Sequence, residues 1–143
     1  MSSTFEDLQA WQLSMNLVEA IYRCTQQWPA EERYGLVSQV RRAAISIPSN
    51  IAEGKGRASD KELIKFLNYA RGSVYEIQTQ LKIAFRLNYL SGTAASVLDN
   101  QAAEVGRVLN GLIRAIGTME TRAEDFERGA AGLARAQSPK PRA

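Results

Sequence analysis

The segment between Ser59 and Arg86 constrains the fold most, because its apolar residues recur at intervals of four and three without a break. The stripe consists of Leu63, Leu67, Ala70, Val74, Ile77, Leu81 and Ala84. Only a helix brings such positions onto one face, and this spacing is typical of helices that pack along their whole length. Ser59 and Glu62 in front of the stripe fit a capping box. The pattern predicts a helix of about 28 residues and roughly 40 Å.

Two other segments carry apolar stripes of the same kind, one near the start of the chain and one in its last third. The first predicts a helix over about residues 5–27, opened by a Thr4–Asp7 capping box and ended at Pro29, which has no backbone donor. The last stripe begins near Thr93 and fades after Gly117. Both segments are long enough to lie beside the central helix for most of its length.

A fourth helix is predicted between these, and it contains a proline. The segment begins near Glu31 and keeps one apolar face through Pro48. Proline removes one helical hydrogen bond and clashes with the preceding turn, so we expect a kinked helix rather than two separate ones. The helix ends at Gly54-Lys55-Gly56, where Gly54 or Gly56 suits a left-handed C-terminal cap.

Four helices with short connections and no alternating strand pattern predict an all-α fold. The architecture is an antiparallel up-and-down four-helix bundle with a kinked second helix over residues 1–119. Residues 120–143 form a polar, partly disordered C-terminal tail, in which a frayed helical extension precedes the disordered end. Apolar residues outside the stripes, such as Trp11 and Phe85, fit either a broad core face or a face buried against another subunit. The second alternative is favoured, because small monomeric bundles expose little apolar area.

The residue types that are missing exclude several kinds of chemistry. The 143 residues include no histidine and one cysteine, Cys24, so histidine acid–base catalysis, Ser-His-Asp triads and histidine- or cysteine-rich zinc sites are excluded within one chain. An all-carboxylate magnesium site at Glu53 and Glu62 is an alternative, but helix-terminal solvation explains both residues. We therefore expect no enzymatic activity, no cofactor and no metal.

The same counts and the start of the chain indicate a compartment. One thiol cannot cross-link the fold, and Cys24 fits a small buried apolar residue in a reducing environment. The first seven residues contain no basic segment followed by an apolar one, and no apolar run approaches the length of a membrane span. We expect a cytoplasmic protein that does not contact membranes.

Basic residues concentrate in the middle of the chain. The whole chain has 18 basic and 15 acidic residues, for a net charge of +3. Residues 31–90 alone have a larger net positive charge than the whole chain. The candidates for contacting phosphate are Arg41, Arg42, Lys55, Arg57, Lys61 and Lys65. Such a face either attracts nucleic acid or is an ordinary solvated helix surface. Tyr34 and Tyr69 lie among these residues, where stacking on bases is possible, although tyrosines at helical spacing are more typical of a core or an interface.

The run from Ser46 to Arg57 combines a proline, an amide, a carboxylate and a glycine-rich basic turn. Its glycines permit a backbone to approach a phosphate closely. A helix cap followed by a turn is the favoured alternative, in which the side chains of Ser46 and Asn50 replace the hydrogen bond that Pro48 removes.

Six runs of sequence carry a resemblance to a known family. They are Phe5 to Trp11, Tyr34-Gly35-Leu36 with Gln39, Arg41-Arg42-Ala43-Ala44, Ser46-Ile47-Pro48-Ser49-Asn50-Ile51-Ala52-Glu53-Gly54, Phe66-Leu67, and Ala70-Arg71-Gly72-Ser73 followed by Glu76. Over about residues 4–117 the chain resembles the bacterial four-helix-bundle family named for the 23S rRNA intervening-sequence protein. The long run supplies the structural signature of the resemblance, with Ser46, Pro48, Asn50, Glu53 and Gly54 as its marked positions.

The resemblance implies a ring-like homopentamer without catalytic residues. The family is also similar in fold to the accessory variability protein of diversity-generating retroelements, a basic pentamer that binds reverse transcriptase and nucleic acid. We therefore expect a non-enzymatic, homo-oligomeric accessory protein that binds RNA or a ribonucleoprotein, with rRNA or another structured nucleic acid as its partner. The alternative is a scaffold that binds a protein partner and has no specific affinity for nucleic acid.

Overall fold

A computed structural model describes residues 4–136, and every regular element within them is helical. The four long helices are α1 (Gln9–Thr25), α2 (Leu36–Lys55), α3 (Asp60–Arg86) and α4 (Gly92–Ala136). Short 3-10 turns at Phe5–Asp7 and Ala30–Glu32 precede α1 and α2. The all-α class and the predicted order of four helices are confirmed.

Each helix packs antiparallel to its neighbour along the chain. The Arg41 side chain on α2 reaches Thr25 at the end of α1, and Lys82 near the end of α3 lies 3.6 Å from Asp99 near the start of α4. The fourth helix also packs against α1, so the four helices close into an up-and-down bundle.

The apolar stripes form the core, as their spacing predicts. In α3, the stripe from Leu67 to Ala84 is buried, and in α4 the residues Leu98, Ala102, Val105 and Leu109 are buried. Burying a leucine or isoleucine side chain fully contributes about 1.5–3 kcal/mol, so these stripes account for much of the stability of the bundle.

The first two helices begin later than predicted. Leu8 has extended backbone angles (φ −73°, ψ 127°) and separates the turn at Phe5–Asp7 from α1. The Thr4 amide donates to the Asp7 carboxylate at 3.0 Å, so these two residues cap the short turn instead of α1. Similarly, the Glu32 carboxylate accepts a 2.8 Å hydrogen bond from the Leu36 amide and caps α2 beyond its predicted start.

The glycine cap predicted at the end of α2 is wrong, because neither glycine has a positive φ. Gly56 has a φ of −79°, and Gly54 lies within the helix. A Cβ atom on Gly54 would lie 2.8 Å from Cβ of Phe66, so this glycine allows α2 and α3 to approach each other closely. The helix is continuous through Pro48, which confirms one helix rather than two. The kink itself stays a prediction.

The last helix is longer than its core-facing stripe. α4 has 45 residues and α3 has 27, so at 1.5 Å per residue α4 is longer by about 27 Å. From Thr118 to Leu133, every side chain that the structure describes is exposed. Within the tail predicted over residues 120–143, the chain is thus helical as far as Ala136. The disorder predicted for the end of the tail falls on residues 137–143, outside the described residues.

Candidate nucleic-acid interface

A groove of about 880 Å³ lies between the end of α1, the connection to α2 and the first turns of α2. Its walls include Tyr22, Arg33, Tyr34, Arg41 and Arg42, and we call it the arginine groove. Arg41 and Arg42 were predicted from the sequence to contact phosphate, and Tyr34 was noted as a residue that could stack. The structure brings these three together in one concave surface.

The connection between α1 and α2 is held in place by contacts to the segment that links α3 and α4. The ring of Trp28 is buried and lies 6.0 Å from the ring of Tyr89. The Tyr89 hydroxyl donates to one oxygen of Glu32 at 3.1 Å, and the other oxygen of Glu32 accepts from the Leu36 amide. These contacts occupy the Glu32 carboxylate outside the groove. Glu32 is therefore not among the residues that line the groove.

The guanidinium of Arg41 is fixed at the base of the groove. Its Nε donates to Thr25 Oγ1 at 2.8 Å, and one terminal nitrogen lies 3.4 Å from the Tyr22 carbonyl oxygen. The guanidinium carbon also lies 4.3 Å from the centre of the Tyr22 ring, a cation–π distance. Arg41 therefore links α1 to α2 and contributes a positive charge that has little freedom to move.

The mouth of the groove carries side chains that are free to reach a ligand. Arg33 and Arg42 are exposed, and Tyr34 is 90% exposed. Within the part of the chain that the structure describes, three arginines and no acidic residue line this groove. Guanidinium groups suit phosphate oxygens, and an exposed ring offers a stacking surface for a base.

The remaining predicted basic residues lie elsewhere. Lys55 is the last residue of α2, thirteen positions beyond Arg42, which corresponds to about 20 Å along the helix axis. Lys61 and Lys65 are exposed on the first turns of α3. The six candidates therefore form two groups at opposite ends of α2 rather than one patch.

The second group is largely balanced by acidic residues. Arg57 lies 2.6 Å from the Glu53 carboxylate and stacks on the Phe66 ring at 4.9 Å. Asp60 and Glu62 alternate with the lysines in the first turn of α3. This group has a weaker excess of positive charge than the arginine groove, and part of its cationic surface is already occupied.

Two signature residues of α2, Ser46 and Asn50, form hydrogen bonds to α3 or within their own helix. The Ser46 hydroxyl meets the Ser73 hydroxyl of α3 and donates to the Ala43 carbonyl at 2.7 Å. The Asn50 amide donates to the Ser46 carbonyl at 2.8 Å. Neither side chain reaches the Ala44 carbonyl, whose partner Pro48 removes, so the predicted replacement of that hydrogen bond is wrong. These side chains instead stiffen the helix around the proline and join it to α3.

Arg33 is the groove residue that the sequence prediction did not include. It lies in the connection after a 3-10 turn, outside the helical stripes on which the prediction depended. The position of Arg33 between Pro29 and Gly35 could have identified it from the sequence. Residues in a short, anchored connection tend to present their side chains to solvent.

No group of three or more histidine, cysteine, aspartate or glutamate side chains within residues 4–136 is arranged to hold a metal ion. Burial raises the pKa of the Cys24 thiol, and an interaction with Trp28 opposes this only in part. A raised pKa makes the thiol less nucleophilic at neutral pH. Within the same residues, no helix combines the length and the apolar character that crossing a membrane requires.

The similarity of this chain to known proteins lies in its fold and in the sequence of residues 6–111. Of the curated proteins, none is significantly similar in sequence to this chain. A crystal structure of a protein with unknown function from the S23 ribosomal protein family of Bacteroides thetaiotaomicron VPI-5482 superposes with a TM-score of 0.68 and 21% sequence identity. The match covers 73% of this chain and 95% of the other, and at this identity it shows the fold alone. The family model described as 23S rRNA-intervening sequence protein matches residues 6–111. Because this match spans well over half of the sequence, the chain belongs to the 23S rRNA-intervening sequence protein family.

Proposed function

We propose that the protein is a non-enzymatic accessory protein of the bacterial cytoplasm that binds RNA in the arginine groove. The observation that carries the proposal is the position of Tyr34, whose exposed ring lies at the mouth of a groove lined by three arginines. A tyrosine that contributes nothing to the core in this setting matches the way proteins hold single-stranded bases.

The groove suggests which form of RNA it binds. Double-stranded RNA is recognised mostly by its shape, whereas unpaired bases in loops and bulges stack on aromatic side chains. With one stacking surface between cationic side chains, the groove suits an unpaired nucleotide and its flanking phosphates. We therefore expect structured RNA with exposed loops to bind better than a continuous duplex.

Fluorescence anisotropy with a labelled structured fragment of 23S rRNA, a scrambled RNA and a duplex tests the proposal at about 50–300 mM salt. Replacing Tyr34 by alanine removes the stacking surface. A stacked base contributes about 1–3 kcal/mol, so the affinity should fall about 5- to 150-fold.

The matched control is Tyr34→Phe, which keeps the ring and should bind nearly as well as the native protein. Because the Tyr34 side chain is exposed, neither substitution should change the thermal stability. If Tyr34→Ala binds the rRNA fragment as tightly as the native protein, the groove is not the RNA site.

The proposal includes self-association. The resemblance to the family points to a homopentamer, and several large apolar side chains of the bundle are exposed, among them Phe85 and Val97. A ring of subunits would present the arginine groove several times and would strengthen RNA binding by avidity. Light scattering coupled to size-exclusion chromatography measures the mass, and a monomer at micromolar concentration contradicts this part of the proposal.

A second candidate function, a protein-binding scaffold, is favoured by a different surface. A groove of about 890 Å³ runs between the end of α3 and the start of α4, and Phe85, Leu90 and Val97 are among its apolar lining residues. This surface suits an apolar protein segment rather than a phosphate. The scaffold function predicts that Phe85→Ser together with Val97→Ser abolishes partner binding, and that the native protein shows no RNA affinity at physiological salt.

A further inference from the structure

The exposed part of α4 continues the apolar stripe of the core. The intervals of four and three that begin at Leu98 run without interruption to Leu133. Beyond Ile116, the positions on this stripe are Met119, Ala123, Phe126, Ala130 and Leu133. Three of them are large and strongly exposed, namely Met119 (65%), Phe126 (78%) and Leu133 (66%).

The helix α3 of the same bundle extends only to about the first position of this stripe, Met119, and leaves the later positions without a neighbour. Arg71 on α3 bonds to Asn110 on α4 at 3.2 Å, and Asp60 at the start of α3 therefore lies level with about residue 121 of α4. We call the part of α4 from Thr118 to Leu133, which begins beside the first turn of α3 and continues past it, the overhang. The family match ends at residue 111, so the overhang also lies outside the region shared with the family.

The overhang has the residue pattern of one strand of a coiled coil. Met119, Phe126 and Leu133 occupy d positions of successive heptads, and Ala123 and Ala130 occupy a positions. Glycines at 129 and 132 weaken the intrinsic preference of this segment for a helix. A helix of this composition gains its stability from packing against a partner along the stripe.

The charges beside the stripe identify the partner. Arg122 occupies a g position and Glu127 the e position of the following heptad. In a parallel, in-register pair, the g residue of one copy lies next to this e residue of the other, so each Arg122 faces a Glu127. An antiparallel pair places g beside g and e beside e, where these residues find no opposite charge.

We propose that the overhang packs against the overhang of a neighbouring copy of this chain in a parallel, in-register coiled coil, an arrangement that a ring of copies can repeat around its axis. The pairing would bury Met119, Phe126 and Leu133 between the copies and hold their bundles side by side at one end. It does not depend on RNA binding, because the arginine groove lies at the opposite end of the bundle. The overhang is also separate from Phe85 and Val97, two exposed apolar side chains of the bundle.

Cysteine cross-linking of the full chain in a Cys24→Ser background tests the pairing directly. Met119→Cys and Leu133→Cys lie on the same stripe, two heptads apart, and under mild oxidation each should form a disulfide with the same residue of a second copy. The matched control is Thr121→Cys, which is exposed on the opposite face of the helix and should not cross-link. Cross-linking at only one of the two stripe positions, or at neither, overturns the proposal, since only a parallel in-register pair brings both together.

A charge exchange tests the orientation independently. In the Leu133→Cys protein, Arg122→Glu should lower the cross-linking yield several-fold, because two glutamates then face each other, and Glu127→Arg should do the same. Combining the two substitutions should restore the yield. If the combined variant cross-links no better than either single one, these residues do not pair between copies.

Mass and RNA affinity measured on the same Cys24→Ser sample separate this proposal from the proposed function. An oligomer that binds RNA but does not cross-link through the overhang overturns the coiled coil alone. Because the overhang lies outside the core, these variants should keep the thermal stability of the bundle.

Discussion

The Nε of Arg41 on α2 donates a 2.8 Å hydrogen bond to the Oγ1 of Thr25 on α1, and that hydroxyl in turn donates to the Ile21 carbonyl at 2.7 Å. The same guanidinium stacks on Tyr22. Arg41 is therefore a structural link between two helices, whereas its neighbour Arg42 is exposed to solvent.

This difference predicts unequal effects of two similar substitutions. Arg41→Ala should lower the free energy of unfolding by about 1–3 kcal/mol, because it leaves Thr25 and the Tyr22 carbonyl without the guanidinium donor. Arg42→Ala should change it by less than about 0.5 kcal/mol. Urea denaturation followed by circular dichroism measures both, and equal losses of stability would show that Arg41 does not link the helices.

The close approach of α2 to α3 predicts a contrast between two glycines. Gly54→Ala places a Cβ atom 2.8 Å from Cβ of Phe66 and 3.1 Å from Cδ1 of Leu63. Overpacking of this kind costs about 1–3 kcal/mol.

The control for this substitution is Gly72→Ala, in the middle of α3, where an added Cβ meets nothing within 4 Å. Alanine is the better helix former, so this variant should be more stable by about 0.5–1 kcal/mol. Thermal and urea denaturation test the pair, and a stabilising Gly54→Ala would mean that α2 and α3 are farther apart.

The contact between Tyr89 and Glu32 predicts a dependence of stability on alkaline pH. Burial raises the pKa of the Tyr89 hydroxyl, and its hydrogen bond to Glu32 together with the charges of Glu32 and Glu31 raises it further. The folded protein thus retains this proton to higher pH than the unfolded chain, in which tyrosine titrates at about pH 10. The contribution is complete below that pH and is lost as the pH rises through the raised pKa of the folded state.

Tyr89→Phe has no hydroxyl to titrate. It should be less stable than the native protein at neutral pH, and the difference in melting temperature should shrink above about pH 10. A difference that stays constant up to about pH 11 would show that Tyr89 does not bond to Glu32 in solution.

The fold was largely predictable because helix periodicity is a local property. The unbroken spacing from Leu63 to Ala84 predicted both the helix and its buried face. The starts of α1 and α2 were not predictable in this way, since they depend on the extended backbone at Leu8 and on a cap that Glu32 supplies from outside the helix. The length of α4 was underestimated because the stripe beyond Gly117 includes two alanines and is flanked by glycines and charged residues.

The candidate site was predictable only in part. Counting charges along the sequence identified Arg41 and Arg42 but grouped them with residues that lie about 20 Å away along α2. It also gave no sign that Arg41 has a partner inside the chain, because that contact joins residues from two different helices. The pair of Arg57 with Glu53 has a spacing of four residues, which the sequence does show. Arg33 was missed because it belongs to a connection, where periodicity carries no information.

The central claim is that RNA binds at the arginine groove rather than at the basic turn between α2 and α3. One measurement compares two double variants that reverse the same number of charges. The first combines Arg33→Glu with Arg42→Glu, and the second combines Lys61→Glu with Lys65→Glu. Fluorescence anisotropy of the labelled rRNA fragment gives the affinity of each variant over a range of salt concentrations. The first pair should weaken binding strongly and reduce the slope of log affinity against log salt by about 0.7 for each phosphate that the protein no longer neutralises. The second pair should leave the slope close to that of the native protein. The reverse order of effects would contradict the account and place the RNA on the α2–α3 turn, and unchanged binding in both would exclude either surface as the RNA site.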